Sequence, residues 1–176
     1  MADINVTAIK SRRPADAPAD EPIWDLIELL FFAYRDFVSD PDEVLAKFGF
    51  GRAHHRVLHF VNRNPGMKVA DLLELLRITK QSLGRVLKQL VDQGYIVQRE
   101  GAQDRRQRLL HVTEKGRALA LQLATLQTER IAAALKELGP GAHEEARRFL
   151  AAMIDQEDRA GVLAFIESAD EARRRT

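Results

Sequence analysis

The chain has 176 residues, 45% hydrophobic and 30% charged, a globular composition rather than a disordered or fibrous one, and its length suits one domain with an appended element. It contains no cysteine, which excludes disulfides, thiolate metal sites, iron–sulfur ligation and thiol redox switching. The net charge of +1 conceals an asymmetry, because the block from Arg77 to His111 holds eight Lys/Arg against three Asp/Glu and so carries +5, leaving −4 elsewhere. Such a block suits a polyanion, since each neutralised phosphate releases counterions; a solvated basic face is the plain alternative.

Residues 1–20, with Pro14 and Pro18 among Ala and Asp, read as a flexible arm. The opening MADINVTAIKSRRPADAP has no apolar h-region, and Leu26–Ala33 is broken by Glu28, far short of the roughly 20 residues needed to span a bilayer. Neither a signal peptide nor an anchor is expected, and the expected location is the cytoplasm. Pro22 suits the first turn of a helix marked by Ile23, Ile27, Leu30, Phe31 and Tyr34 up to about Val38. Leu26, Leu29, Phe32 and Phe37 make its other sides apolar too, more than one small domain covers. A second helix is expected from Gly51 to Asn62, with Ala53, Val57, Leu58 and Val61 inward and Asn64-Pro65-Gly66 ending it.

Val69, Leu72, Leu73 and Leu76 mark a short helix, and Arg77-Ile78-Thr79 leaves room only for a tight connection. Thr79 is a good N-cap for a helix over 79–93 that buries Leu83, Val86, Leu87, Leu90 and Val91, with Gly94 as a left-handed stop. Two short helices so joined are a helix-turn-helix. The β-prone runs Tyr95–Arg99 and Arg108–Val112 flank the turn-rich segment Glu100–Gln107, which predicts a hairpin with a basic tip. Helix-turn-helix plus hairpin is a winged helix. Thr113 caps a long helix, Glu114 to Leu138, stopped by Gly139-Pro140-Gly141, and a further helix is expected from Ala142 to Asp158 with Ala146, Phe149, Leu150, Met153 and Ile154 on one face. The long helix is more than a winged-helix core covers, and its apolar surplus points to a partner subunit.

Opposite the apolar stripe of helix 79–93 lie Lys80, Gln81, Ser82, Gly84, Arg85, Lys88 and Gln89. Gln pairs bidentately with adenine, Arg with guanine, and Ser and Lys hold phosphates, so Gln81 and Arg85 are the expected base readers in a major groove. Gly84 costs about 1 kcal/mol relative to Ala inside a helix, which makes sense if a side chain would hold the helix off DNA; relief of packing against the preceding helix is the alternative. The tip Asp104-Arg105-Arg106-Gln107-Arg108 offers guanidiniums to phosphates and to a narrow minor groove. Asp104, which DNA would repel, suits orienting an arginine.

The run from Val69 to Gly116, VADLLELLRITKQSLGRVLKQLVDQGYIVQREGAQDRRQRLLHVTEKG, resembles the MarR-family transcriptional regulators, whose wing carries an Asp-x-Arg element, here Asp104 and Arg106, and then a Leu-Thr-x-x-Gly-like helix start, here Val112 to Gly116. The resemblance extends over roughly Pro22 to Asp158. It implies an obligate homodimer with interlocked first and last helices, two lobes reading a pseudo-palindrome, Asp104 orienting the wing and Arg106 entering the minor groove. The stretch AHHRVLHFVNRNPGMKVADLLELLRITKQSL resembles the branch of that family associated with regulation of photosynthetic electron transport. Two departures stand out: Lys68 occupies the N-cap where many members have Ser or Thr, and residues 159–176 run past the usual end. Gly161–Ile166 reads as one more apolar turn available to a partner, ahead of the solvated Arg173-Arg174-Arg175.

Some members of the family bind small aromatic anions, and Trp24, Phe31, Tyr34, Arg35, His54 and His55 form a candidate effector pocket on helix geography, with plain core as the alternative. His54, His55 and His59 lack a further ligand nearby in sequence, so no metal site is expected. No phosphate loop, catalytic triad or carboxylate pair is recognisable, and neither an enzyme nor a cofactor is expected. The expected fold is mainly α with a small β-hairpin wing: an arm over 1–20, a dimerisation helix and connector over 21–50, a winged helix-turn-helix over 51–113, and dimerisation helices over 114–176. The expected function is that of a homodimeric, sequence-specific double-stranded DNA-binding repressor, with helix 79–93 in the major groove and wing 95–112 at the minor groove. A protein-interaction module or non-specific architectural DNA binder is the alternative, against which Gln81, Arg85 and the arginine-rich tip argue.

Overall fold

The computed structural model describes residues 22–101 and 107–175; the expected arm over 1–20 lies outside them. The chain divides into two compact units at Asp36/Phe37. The elements in order are α1 (Trp24–Ala46), α2 (Arg52–Arg63), β1 (Met67–Lys68), α3 (Val69–Leu76), α4 (Lys80–Asp92), β2 (Ile96–Glu100), β3 (Arg108–Val112), α5 (Glu114–Leu138), α6 (Ala142–Ala152) and α7 (Gln156–Arg174). The expected mainly helical, winged architecture is therefore present. Among the described residues no helix is long and apolar enough to cross a membrane.

α1 continues past the expected end at Val38, with Pro41 inside it. An interior proline removes one hydrogen bond, but Val38, Pro41 and Leu45 sit at helical spacing on one buried stripe, and that burial carries the helix through. The core of the larger unit gathers Leu58 and Val61 from α2, Leu72 from α3, Leu83, Leu87 and Leu90 from α4, Ile96 and Leu110 from the sheet, and Leu119 and Leu123 from α5. Ala53 and Val91, expected inward, are exposed. Ala53 lies in the first turn of α2 and Val91 in the last turn of α4, where the buried stripe has rotated away.

The sheet has three strands in the order β1-β3-β2, all antiparallel. β1 is an addition to the expected hairpin: Met67 pairs with Leu110 and Lys68 with Leu109. It anchors the base of the wing to the start of α3. That start needs no Ser or Thr at Lys68, because Asp71 Oδ2 accepts from the Lys68 N–H at 3.3 Å.

The expected continuous helix from Ala142 to Asp158 is two helices. Arg159 braces the break: its Nη2 donates to Ala152 O at 2.7 Å, on the last residue of α6, and to Ile154 O at 2.9 Å in the connection to α7. Gly161–Ile166 lies within α7 rather than forming an isolated turn. Phe165 packs against the chain's own core and faces Phe60 with ring centroids 6.1 Å apart. Asp170 of α7 pairs with Arg63 at 2.8 Å, and Asp158 pairs with Arg77.

Candidate nucleic-acid interface

α4 begins where Thr79 Oγ1 accepts from the Ser82 N–H at 3.2 Å while donating to Ser82 Oγ at 2.9 Å. It ends in a Schellman turn, as Gly94 at φ +73° sends its N–H to Val91 O at 3.0 Å and Tyr95 sends its own to Leu90 O at 2.8 Å. Between these stops one face is buried through Leu83, Val86, Leu87 and Leu90. The other presents Lys80, Gln81, Ser82, Gly84, Arg85 and Lys88, all exposed. The first turn holds no acidic residue, although a helix N-terminus favours one; Lys80 there strengthens the positive end instead, an arrangement suited to an external anion. Lys88 is partly engaged, with Nζ 2.5 Å from Asp92 Oδ2.

A Cβ built on Gly84 meets nothing within 4 Å. Relief of packing against α3 therefore does not account for this glycine. Gly84 lines an open cleft of about 350 Å³ together with Val69, Leu73, Leu87, Lys88 and Gln98, among others.

β2 and β3 stay in register from Ile96↔Val112 to Glu100↔Arg108. Beyond them the Gly101 N–H reaches Gln107 O at 3.1 Å. Ile96 of β2 and Leu110 of β3 root the ribbon in the core, while Arg99, Glu100 and Arg108 at its far end are exposed. Arg108 Nη1 pairs with Glu100 Oε1 at 3.1 Å on the exposed ribbon. Asp104, Arg105 and Arg106 lie outside the described residues.

The end of α4, the base of the wing and the start of α5 are fastened together. The Thr113 N–H bonds Tyr95 O at 3.0 Å, and Thr113 Oγ1 donates to Gly94 O at 2.7 Å while accepting from the Gly116 N–H at 3.0 Å. Lys115 Nζ sits 4.2 Å from the centre of the Tyr95 ring. A Cβ on Gly116 would fall 2.0 Å from Tyr95 O; only glycine lets α5 approach this closely. The spacing Thr113-x-x-Gly116 signals the helix start, but the reason for glycine emerges only in three dimensions.

The candidate effector residues fall in both units. Trp24, Phe31, Tyr34 and Arg35 belong to the N-terminal one, where all are exposed. Arg35 Nε pairs with Asp36 Oδ1 at 2.7 Å, and its guanidinium lies 5.0 Å from the Phe32 ring centre. In the other unit His54 is buried with both ring nitrogens engaged: Nδ1 accepts from the Gly51 N–H at 3.1 Å, and Nε2 lies 2.6 Å from Gln89 Oε1. The link from His54 to Gln89 was not legible in the sequence, where its one signal is a histidine three residues into a helix capped by glycine. His55 and His59 are half-buried. Burial pushes both imidazoles below their ordinary range, with Asp42 working against it at His55 and the neighbouring His55 and Arg63 adding to it at His59. Among the described residues no group of three or more His, Asp or Glu is placed to hold a metal ion.

Comparison with known proteins fits this frame. A sequence model of the MarR family matches residues 48–107. The HTH-type transcriptional regulator PetP of Rhodobacter capsulatus is 48% identical over 136 residues, which cover 77% of this chain and 82% of that protein. Among solved structures, the transcriptional regulator SlyA aligns with a TM-score of 0.64 at 22% identity, over 78% of this chain and 99% of SlyA. A mutant of MarR from E. coli, complexed with operator DNA, aligns with a TM-score of 0.58 at 18% identity, over 77% of this chain and all 100% of that one. By the identity it shares with PetP and by its winged-helix frame, the chain belongs to the MarR family of transcriptional regulators.

Proposed function

We propose that the chain is a homodimeric, sequence-specific double-stranded DNA-binding regulator that inserts α4 into the major groove and lays the wing along the adjacent minor groove. The observation that carries this reading is the α4 surface: a helix locked into the core on one side exposes Lys80, Gln81, Ser82, Arg85 and Lys88 on the other, with no acid in its first turn. Gln81 and Arg85 read base edges, since each can form a bidentate pair worth about 1–3 kcal/mol of discrimination. Lys80, Ser82 and Lys88 hold phosphates, with Thr79 fixing the helix start. Arg105, Arg106 and Arg108 serve the wing, with Asp104 orienting an arginine. The complex of the E. coli MarR mutant with operator DNA supports the reading by likeness of fold.

A second copy supplies the other half-site. In the N-terminal unit Trp24 is 60% exposed and Phe31 69%, and elsewhere Phe149 is 54% and Leu150 58% exposed. Exposed apolar side chains of this size suit an interface, and a homodimer buries them. We infer that the regulator represses by occluding the site it occupies. The test is selection from a random duplex pool at about physiological salt. The expected product is an inverted repeat with half-sites about one helical turn apart; binding without any enriched motif would overturn the proposal.

A further inference from the structure

Gln81, Arg85 and Gln89 follow each other at intervals of four along α4 and so form one row on the helix, drifting by about 40° per step at 3.6 residues per turn. The row meets two different environments. Gln81 and Arg85 face solvent, whereas the Gln89 amide oxygen is held 2.6 Å from His54 Nε2 of α2. The His54 ring is itself fixed on three sides. It stacks on Phe50 with centroids 4.6 Å apart and planes at 15°, and Phe50 in turn meets Tyr95 edge-on at 5.1 Å. Its Nδ1 accepts from the Gly51 N–H at 3.1 Å. Because Nδ1 is the acceptor, the ring proton sits on Nε2, and Nε2–H donates to Gln89 Oε1.

We infer that His54 is a positioning residue for DNA reading: by holding Gln89 it sets the rotation of α4 about its axis, and with it the angle at which Gln81 and Arg85 meet base edges. The inference rests on the proposal that α4 reads DNA. The buried face of α4, Leu83, Val86, Leu87 and Leu90, holds the helix to the core by apolar packing alone, which carries no directional polar contact. A hydrogen bond is directional. Here it joins the far end of the reading row to a ring held by the Gly51 N–H at the start of α2 and by the stacked Phe50 ring, which Tyr95 backs in turn. Gln89 consequently contributes by being held, not by contacting a base itself.

The test compares affinity for the duplex that the wild-type chain selects from a random pool with affinity for an unselected duplex, at one salt concentration. The full-length chain is used as wild type, His54→Ala, His54→Gln, Gln89→Ala and the double Ala variant. His54→Ala and Gln89→Ala should each lower the selected-to-unselected ratio by about fivefold, the scale of one lost hydrogen bond, and the double variant should lower it no further. His54→Gln should keep the ratio near wild type, because its amide can accept from Gly51 and donate to Gln89. A merely structural His54 would weaken both duplexes alike and leave the ratio unmoved, which would overturn the inference. Losses that multiply in the double variant would overturn it too, by making Gln89 an independent reader. If His54→Ala fails to fold, the exposed Gln89→Ala decides, with an unchanged ratio refuting the inference. Failure of the wild type to select any duplex would remove the DNA reading and this inference together.

Discussion

Replacing Gly84 by Ala separates folding from DNA reading, because the two respond with opposite signs. Gly84 is the fifth of 13 residues in α4, and a Cβ there meets nothing within 4 Å. Alanine therefore brings its helix propensity without a clash, a gain of about 0.8–1.0 kcal/mol, or roughly 2–4 °C in melting temperature for a chain of this size. On DNA the same methyl group projects from the exposed face, between the turns that carry Gln81 and Arg85. Lifting the helix weakens at least one bidentate base pair, worth about 1–3 kcal/mol, so affinity for the selected operator should fall roughly 5- to 150-fold. Thermal unfolding followed by circular dichroism and operator titration by fluorescence anisotropy give the two numbers. A variant that is stabilised yet binds the operator like wild type would refute close approach at Gly84. A destabilised variant would refute the account of open space around it.

Gly116→Ala should destabilise the fold by about 1–3 kcal/mol, since its Cβ would lie 2.0 Å from Tyr95 O and force α5 away; a urea midpoint unchanged from wild type would contradict this. Arg85→Ala should relax base preference at one position per half-site, whereas equal loss on all sequences would make Arg85 a phosphate contact. Arg106→Ala should weaken binding most on A·T-rich flanks, and a loss independent of flank composition would refute minor-groove insertion. His55 and His59 are held below their ordinary range near 6.5 by burial. The unfolded chain thus binds more protons in the window below pH 6.5, and the stabilising contribution present at pH 7 should be lost as pH falls through their lowered native values. Urea midpoints at pH 7 and pH 5 should converge in the variant carrying both His55→Gln and His59→Gln, and an unaltered pH dependence would contradict the assignment.

Features decided by a few neighbouring residues were readable in the sequence. Thr79 and Thr113 act as N-caps and Gly94 as a left-handed stop because each meets backbone groups within a few positions. Features decided by distant packing were not. Pro41 looks like a helix terminator until its ring is seen buried beside Val38 and Leu45. The split between α6 and α7 is braced by Arg159 reaching back to two carbonyls. β1 is too short to show alternation, and its partner lies more than forty residues away. The exposed placement of Lys80, Gln81 and Arg85 on α4 was legible from helical periodicity alone, whereas the His54–Gln89 contact joins residues 35 positions apart on two helices. No local pattern encodes such a pairing.

As proposed above, α4 enters the major groove while the wing attends the minor groove. Methylation interference on the selected operator tests both at once, because guanine N7 lies in the major groove and adenine N3 in the minor groove. The expected result is interference at guanine N7 within the two half-sites, lost at one position with Arg85→Ala, together with adenine N3 interference confined to the flanks. Interference at adenine N3 alone, or at neither position, would contradict it.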